Sequence, residues 1–366
     1  MRVVKVPLGD RTYSILIGEG LLARLGMECR RLKLGRRCAL ITDANVAPLF
    51  AAAAEESLSA AGFESLRITV PAGETAKRLR TVQACYDQLA AHRLERKSFV
   101  VALGGGVVGD LAGFVAATYL RGLAFVQVPT TLLAQVDSSV GGKVGVNLKA
   151  GKNLVGAFYQ PKLVLCDLGT LRTLPQREFR AGLAEVVKYG VIYDAALFRR
   201  LERNMEKLVG LDPATLTAVV ARCCQIKAEV VGQDETESGL RAILNFGHTI
   251  GHAIENSVGY GKYLHGEAIA IGQTAAAELS RHLLGLPERD VIRIGNLLCA
   301  AGLPNRIRLT AAQTTRLFEA MKLDKKVSGG EIKFVLARRI GEVLWGQKVP
   351  AELLDRVLGR SEAHAP

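Results

Sequence analysis

The segment LNFGHTIGHAIE gathers nitrogen and oxygen side chains that could bind a metal ion or a polar substrate. Its chemically capable members are Asn245, His248, His252 and Glu255. If the region is one helix, the spacing of 4, 3 and 4 residues from Arg241 through Asn245 to the two histidines puts these side chains on one face. Alternatively, Asn245 caps a helix that starts at Phe246, which removes Asn245 and Arg241 from that face.

The two histidines of this segment are four residues apart, a spacing found in zinc-binding helices and also in ordinary surface or core pairs. No glutamate lies between them, so the segment is not a metalloprotease helix. Two further segments favour a metal: GLAEVVKYG carries Glu185 and Lys188 one turn apart, and YLHGEAIAIG carries His265. Glu185 with two histidines would form a three-ligand site with an open position, as in catalytic zinc sites. The sequence leaves open which two of His248, His252 and His265 take part.

Glycines and hydroxyls follow several apolar strand candidates. SFVVALGGGVVGD runs from a buried strand into a glycine turn and Asp110, and AFVQVPTT ends in Thr130 and Thr131. PAGETAK follows another strand, and LVLCDLGTLRT ends in two threonines. Glycine turns before a helix allow phosphates to approach backbone N–H groups, although such a turn can also be purely structural. Because ligands of parallel sheets bind at the carboxyl ends of the strands, we expect a nucleotide site there.

A lysine-rich segment, DSSVGGKVGVNLKAGKNLVGAFYQP, has too little continuous apolar sequence for a core strand. We expect it to be a glycine-rich loop that carries Asp137, Lys143, Lys149, Lys152 and Asn153. Ammonium groups beside accessible backbone N–H groups suit a phosphate. The alternative is a flexible basic surface loop. Arg121, in YLRGL, could serve the same anion pocket or a subunit contact.

The order of the predicted elements indicates two domains. Residues 1–174 alternate β-branched strand candidates with helical stretches, which predicts a parallel α/β sheet. Residues 175–366 have apolar residues at helical spacing and one late hairpin candidate, IKFVLARRIGEVLW, which predicts a mainly helical domain.

Composition narrows the class of protein and its partners. The seven cysteines are scattered without a CxxC motif, which is typical of reduced thiols and favours a cytoplasmic location. No stretch of about 20 apolar residues predicts a membrane helix. The net charge of +13 is spread along the chain and only 5% of residues are aromatic, which argues against nucleic-acid binding. We therefore expect the positive charge to attract an anionic small-molecule substrate.

Together these motifs resemble the 3-dehydroquinate synthase family of sugar phosphate cyclases. The most specific segments are GGGVVGDLAGFVAATYLRG, QVPTTLLAQVDSSVGGKVGVN, GKNLVGAF, GLAEVVKYG, LNFGHTIGHAIE and LHGEA. The resemblance implies a Rossmann-like NAD-binding domain followed by a helical metal- and substrate-binding domain, assembled as a homodimer. It implies conversion of 3-deoxy-D-arabino-heptulosonate 7-phosphate to 3-dehydroquinate and phosphate. The expected steps are transient oxidation by NAD, β-elimination of phosphate, re-reduction and intramolecular aldol closure.

The resemblance also assigns residues. It implies that zinc or cobalt is held by Glu185, His248 and His265. It implies an NAD site formed by Ala72, Gly73, Glu74, Thr75, Ala76, Lys77, Gly105, Gly106, Val107, Val108, Gly109, Asp110, Thr130, Thr131, Lys143, Lys152, Thr170, Leu171, Arg172 and Thr173. It implies substrate contacts from Asp137, Lys143, Asn153, Lys188, Lys227, Arg241, Asn245 and either Lys325 or Lys326, of which Lys326 is favoured. His252 and Glu237 are the implied proton-transfer residues, and Arg121 is expected to reach across the dimer interface. Glu255 receives no chemical role and is expected to be structural.

Three other functions compete with this interpretation. Another sugar phosphate cyclase would share the motifs, but Arg241 and Asn245 favour a substrate that carries a carboxylate. A metal-dependent polyol or glycerol dehydrogenase of related fold would release NADH. A basic nucleic-acid-binding protein would show strongly salt-dependent DNA retention.

Overall fold

The computed structural model describes residues 1–257, 262–307, 309–327 and 332–359. The chain forms two compact units. The first comprises Met1–Pro175 and Leu216–Thr236, and the second comprises Gln176–Thr215 and Glu237–Pro366. Among the described helices, none combines the length and apolar character needed to cross a membrane.

The first unit is built on a seven-stranded sheet, and each strand overlaps a segment predicted to be a strand: RVVKV, YSILIG, CALITD, LRITVP, SFVVALGGG, AFVQVPT and LVLCDL. The strands are β1 (Arg2–Val6), β2 (Tyr13–Gly18), β3 (Arg37–Asp43), β4 (Glu64–Val70), β5 (Phe99–Gly104), β6 (Ala124–Pro129) and, after a separate hairpin, β9 (Leu163–Asp167). Their order is β1-β2-β9-β6-β5-β3-β4. Only the β1–β2 pair is antiparallel among the strand pairs of this sheet. The predicted parallel α/β architecture is therefore confirmed.

Both faces of this sheet are covered. Along β5, Val100 and Ala102 pack into one apolar layer, whereas Phe99, Val101 and Leu103 pack into the other. Successive strand residues point to opposite faces, so a strand that is apolar throughout must be buried on both sides. The helices of the first unit before Pro175 are α1 (Leu25–Arg31), α2 (Ala52–Ala60), α3 (Leu79–Ala91) and α4 (Gly106–Thr118).

The lysine-rich segment is a hairpin, so its prediction as a loop was wrong. Strands β7 (Lys143–Leu148) and β8 (Gly151–Phe158) pair antiparallel, with Gly145 opposite Gly156. Val144 and Val146 are buried, and β7 packs against α4. A Cβ on Gly145 would lie 2.8 Å from the Val155 carbonyl oxygen, so the glycines allow the two strands to approach closely. Because β8 is largely exposed and only the short stretch Val144–Val146 of β7 is buried, the pair needs no long apolar run.

The second unit is mainly helical. Its elements are α5 (Gln176–Ile192), α6 (Ala195–Val209), α8 (His248–Ser257), α9 (His265–Leu284), α10 (Glu288–Ala300), α11 (Ala311–Val327), the strands β10 (Phe334–Arg339) and β11 (Glu342–Gln347), and α12 (Ala351–Gly359). The late hairpin was predicted from the sequence and is confirmed. Residues from α8, α9, α11, β10 and α12 share one apolar core that includes Ile254, Leu279, Leu317, Leu336 and Leu354.

One helix departs from the predicted division at residue 174. Most of α7 (Pro213–Gln233) belongs to the first unit. Lys227 lies on this helix, with its Nζ 2.8 Å from Asp137 Oδ1, and Cys224 Sγ lies 3.3 Å from the Gln135 carbonyl oxygen. The apolar spacing of α7 predicts a helix correctly but contains no information about which core the helix joins.

Candidate metal centre and nucleotide-binding turns

Three side chains from three helices of the second unit converge on one point. Glu185 lies on α5 and is fully buried, while His248 and His265 are the first residues of α8 and α9. The Nε2 atoms of His248 and His265 lie 3.5 and 3.7 Å from Glu185 Oε1. One ligand atom from each residue lies within 4.8 Å of the other two. Two imidazole nitrogens and a carboxylate oxygen fit the donor set of a catalytic zinc or cobalt ion.

The chain changes direction just before α8, so the single-face prediction for Arg241 and Asn245 was wrong. Leu240–Asn245 is a separate 3-10 helix, and Gly247 has a φ of +80° that favours glycine. A Cβ on Gly247 would also lie 2.6 Å from the backbone nitrogen of Gln273. The capping alternative was wrong as well, because the helix starts at His248 and the Asn245 amide donates to Glu237 Oε1 at 3.0 Å.

The two histidines have opposite electrostatic surroundings. Burial lowers the pKa of His248 to about 3, and the neighbouring Lys188 ammonium acts in the same direction. Burial alone would lower the pKa of His265, but the nearby Glu185 and Glu255 carboxylates raise it to about 9. Lys188 is itself buried and forms an ion pair with Glu185 one turn away on α5. A divalent cation would therefore meet a neutral His248 and would displace a proton from His265.

A cavity of about 660 Å³ in the second unit adjoins this cluster. Its lining includes Glu237, Asn245, His248, His252 and Trp345. His248 and His252 share a face of α8, with ring centroids 5.3 Å apart. The structure thus groups two implied proton-transfer residues and one implied substrate contact with an implied metal ligand. Arg241 is 2% exposed on the adjoining 3-10 helix.

In the first unit, the glycine turn leads directly into a helix. Gly105 precedes α4 at the carboxyl end of β5, and the N–H of Thr130, the residue after β6, donates to the carbonyl of Gly104, the last residue of β5. A Cβ on Gly105 would lie 3.1 Å from Thr131 Cγ2, so the glycine allows the two turns to approach. Gly106 and Val107 are half-buried, whereas Val108 and Gly109 are buried. The positive end of the helix dipole at this turn suits a phosphate.

Lys77 joins three of the implied nucleotide-binding segments. Its Nζ donates to Asp110 Oδ2 at 2.7 Å and to Asn153 Oδ1 at 2.5 Å, and it lies 3.7 Å from Glu74 Oε1. Burial raises the pKa of Asp110, while the Lys77 ammonium opposes that shift. Asn147 was not predicted, yet its amide donates to Glu74 Oε1 at 2.7 Å. Lys77 and Asn147 thus connect the GETAK turn, α4 and the β7–β8 hairpin. Ala72 and Ala76 flank this turn together with exposed Gly73 and Thr75.

The remaining implied residues are less closely grouped. Lys143 is exposed on β7 and Lys152 is half-buried on β8. Thr170 Oγ1 donates to the Asp167 carbonyl and Thr173 Oγ1 to the Thr170 carbonyl, beside buried Leu171. Exposed Arg172 forms an ion pair with Glu19 at 2.9 Å. Arg121 is exposed with a φ of +68°, and Lys326 lies on α11 with its side chain outside the described part.

Sequence reasoning gave no role to Trp345 and only a structural role to Glu255. Trp345, the single tryptophan of the chain, lies on β11 and lines the cavity beside His248. Glu255 Oε2 lies 3.4 Å from His265 Nδ1. Glu255 follows His248 by seven residues and His252 by three, a spacing that places the three on one helical face. That spacing was the available signal for Glu255, whereas no pattern singled out Trp345.

Similarity to known proteins extends over nearly the whole chain. The sequence matches the 3-dehydroquinate synthase N-terminal family over residues 67–181 and the 3-dehydroquinate synthase C-terminal family over residues 182–327. The 3-dehydroquinate synthase of Nitrosomonas europaea is 51% identical over 356 residues, which are 97% of this chain and 96% of that protein. The corresponding enzyme of Neisseria meningitidis is 49% identical over 358 residues, or 98% and 99% of the two chains.

Solved structures with the same fold belong to sugar phosphate cyclases and to more distant dehydrogenases. A 2-deoxy-scyllo-inosose synthase complexed with carbaglucose-6-phosphate, NAD⁺ and Co²⁺ gives a TM-score of 0.88 at 29% identity, covering 98% of this chain and 99% of that one. The 2-epi-5-epi-valiolone synthase of Streptomyces hygroscopicus, with NAD⁺ and Zn²⁺ bound, gives 0.86 at 29% identity, covering 95% and 96%. A Thermotoga maritima butanol dehydrogenase gives 0.68 at 15% identity over 99% and 98% of the chains, a likeness of fold alone.

Proposed function

The chain belongs to the 3-dehydroquinate synthase family, and we propose that it converts 3-deoxy-D-arabino-heptulosonate 7-phosphate to 3-dehydroquinate and phosphate. The reaction is that of a carbon–oxygen lyase acting on a phosphate ester. The observation that carries the proposal is the convergence of Glu185, His248 and His265 in a chain about half identical to named 3-dehydroquinate synthases. The polyol dehydrogenase alternative has only a likeness of fold in its favour, at 15–18% identity.

The cofactors of the proposed reaction are NAD and one divalent metal, zinc or cobalt. Related cyclases are described with NAD⁺ and Zn²⁺ or with NAD⁺ and Co²⁺. When bound, NAD supplies a reversible hydride acceptor, and the metal lowers the pKa of the hydroxyl to be oxidised. Glu185, His248 and His265 would hold the metal. The turns around Glu74–Lys77, Gly105–Asp110, Thr130–Thr131 and Thr170–Thr173, with Lys143 and Lys152, would hold the dinucleotide.

The chain's own residues would bind and orient the substrate. In the second unit, the positive charges of Arg241 and Lys188 suit the carboxylate and hydroxyl oxygens of the substrate. The hydrogen bond of 3.0 Å from the Asn245 amide to Glu237 fixes the orientation of that amide. His252 is exposed on α8 and lines the cavity, so it can exchange a proton with solvent. In the first unit, Asp137, Lys143, Asn153 and Lys227 are proposed substrate contacts. Lys326 would add a further positive charge.

A rival cyclase activity is less well supported than the dehydroquinate synthase activity. The named inosose and valiolone synthases are 29% identical to this chain, compared with 51% for the Nitrosomonas europaea enzyme. Arg241, which is 2% exposed, lies on the same 3-10 helix as Asn245, and its guanidinium favours a substrate with a carboxylate. We further propose a homodimer in which Arg121 reaches the partner. A cytoplasmic location is supported by seven cysteines that are all free.

The decisive experiment measures phosphate release from the heptulosonate phosphate with and without NAD and a chelator. We expect release to require both cofactors, to continue at substoichiometric NAD and to produce no net NADH. Glucose 6-phosphate, which lacks a carboxylate, should be turned over at least ~100-fold more slowly. Net NADH formation or preferred turnover of glucose 6-phosphate would contradict the proposal.

A direct test of the ligand set uses His265→Ala. This variant should retain its circular dichroism spectrum but lose stoichiometric metal and about 100-fold or more of the phosphate-release rate. Metal content of the purified protein is the deciding measurement. A full equivalent of metal in His265→Ala would remove His265 from the ligand set.

A further inference from the structure

The two ring nitrogens of His265 face two different carboxylates. Nε2 lies 3.7 Å from Glu185 Oε1, and Nδ1 lies 3.4 Å from Glu255 Oε2. The Glu255 side chain is 13% exposed, so water screens this contact only weakly. Glu185 is one of the proposed metal ligands, whereas Glu255 has no part in the proposed reaction.

His248 has the same arrangement with a different oxygen. Its Nε2 lies 3.5 Å from Glu185 Oε1, and its Nδ1 lies 3.2 Å from the Phe246 carbonyl oxygen. An oxygen that accepts a hydrogen bond from Nδ1–H fixes the tautomer and leaves the Nε2 lone pair for a metal. Both proposed histidine ligands thus present Nε2 to the metal position and Nδ1 to an acceptor.

We infer that Glu255 is a positioning residue for the metal, holding His265 through its Nδ1–H so that Nε2 is directed at the cation. The inference rests on the proposed metal site. A carboxylate acceptor also makes the imidazole a stronger electron donor than a backbone carbonyl does. Metal affinity should therefore depend on the negative charge of Glu255 as well as on its ability to accept a hydrogen bond.

Helix geometry explains how one element serves both histidines. His248, His252 and Glu255 are the first, fifth and eighth residues of α8, so they share a face. The helix contributes His248 directly at its first turn and orients His265 from its last turns. His265 is the first residue of α9, and the Glu255 carboxylate supplies an acceptor for its Nδ1 from a different helix.

The same side chains could instead hold a second cation. Ligand atoms of His252, Glu255 and His265 also lie within 4.8 Å of one another. His265 could serve two cations only by losing both ring protons, which is unfavourable for an imidazole near neutral pH. A cation at Nδ1 would therefore compete with the one at Nε2, and the positioning role agrees better with the geometry.

The test compares Glu255→Gln and Glu255→Ala with the matched control Glu278→Gln in the full-length protein. Glu278 lies on α9 and also faces a histidine, with Oε1 3.3 Å from His282 Nε2, but belongs to neither histidine cluster. Zinc dissociation constants are measured by chelator competition without substrate, and Co²⁺-loaded samples are compared by visible absorption. Metal stoichiometry is determined for each protein.

We expect one equivalent of zinc in the wild type and a dissociation constant ~10- to 100-fold weaker in Glu255→Ala. Glu255→Gln should be weakened less, because its amide oxygen still accepts a hydrogen bond, and both variants should alter the Co²⁺ spectrum. Glu278→Gln should match the wild type. If Glu255→Ala does not fold, the isosteric Glu255→Gln variant alone is compared with the wild type.

Three results would overturn the inference. The first is a zinc dissociation constant within twofold of wild type in both Glu255 variants. The second is two equivalents in the wild type, of which the Glu255 variants lose one and keep the other at unchanged affinity. The third is absence of stoichiometric metal from the wild type and Glu278→Gln alike, which would overturn the metal site itself. Weakening confined to the Glu255 variants would support the inference.

Discussion

At the scale of single residues, two histidines of one cluster have opposite acid–base properties because their neighbours differ. His248 is buried beside Lys188, while His265 lies between two carboxylates. The sequence identified the residue types of this cluster but left open which histidines join Glu185. That choice depends on how α8 and α9 start, and Gly247 with its positive φ decides where α8 begins. Residue spacing alone does not reveal such a turn.

These pKa values predict how the stability of the metal-free protein depends on pH. The folded pKa of His265 is about 9 against an ordinary 6.5, so its stabilising contribution is complete below pH 6.5 and is lost as the pH rises through 9. The folded pKa of His248 is about 3, so stability is lost as the pH falls below 6.5. Both residues therefore favour maximal stability near pH 6.5.

Urea unfolding of chelator-treated protein tests this expectation. Between pH 6.5 and 9, His265 should lower the free energy of unfolding by at most about 1.4 kcal/mol per pH unit. His265→Asn, which does not titrate in this range, should show a smaller alkaline decline than the wild type. An equal decline in the two proteins would contradict the assignment to His265.

At the scale of elements, strand prediction succeeded for the seven-stranded sheet and the late hairpin and failed for the β7–β8 hairpin. Continuous apolar runs such as SFVVALG identified fully buried strands such as β5, whereas alternating segments such as RVVKV identified the partly exposed β1. The β7–β8 hairpin was not predicted, because Gly145 and Gly156 interrupt its pattern of apolar residues and because β8 is largely exposed. As a hairpin, the segment gives its three lysines different surroundings: Lys152 is half-buried on β8, whereas Lys143 on β7 and Lys149 in the turn are exposed.

Because Lys152 is half-buried and Lys149 is exposed, a Lys149 variant can serve as the control for a Lys152 variant. Lys152→Ala should weaken NAD binding about tenfold, the effect of losing one hydrogen bond to a charged group. Lys149→Ala removes the same charge from the same hairpin and should leave the dissociation constant within about twofold. Equilibrium dialysis with NAD measures both values. Equal weakening would attribute the effect to net charge rather than to a lysine site on β8.

At the scale of the whole molecule, the chain does not divide at a single point. Residues 216–236 lie within the mainly helical part of the sequence, yet they belong to the first unit. That unit is therefore built from two separate segments of the chain. Within that unit, Lys227 pairs with Asp137, and Arg11 forms a bidentate pair with Glu235 at 2.6 and 2.7 Å. From the change to a mainly helical residue pattern near Pro175, we predicted a single boundary there. The packing of α7 in the first unit depends on long-range contacts, which the local spacing of apolar residues does not encode.

The discontinuous first unit predicts the behaviour of fragments. Residues 1–175 alone should fold poorly, because the buried surface around Gln135 and Asp137 would lose α7 and expose apolar side chains to water. Joining residues 216–236 to that fragment through a flexible linker should restore cooperative unfolding and raise the stability by several kcal/mol, since the apolar side chains of α7 are buried again. Far-ultraviolet circular dichroism during urea unfolding distinguishes the two fragments. If the two fragments unfold equally cooperatively and with equal stability, α7 is not needed to complete the first unit. Residues 1–175 would then be a folding unit by themselves.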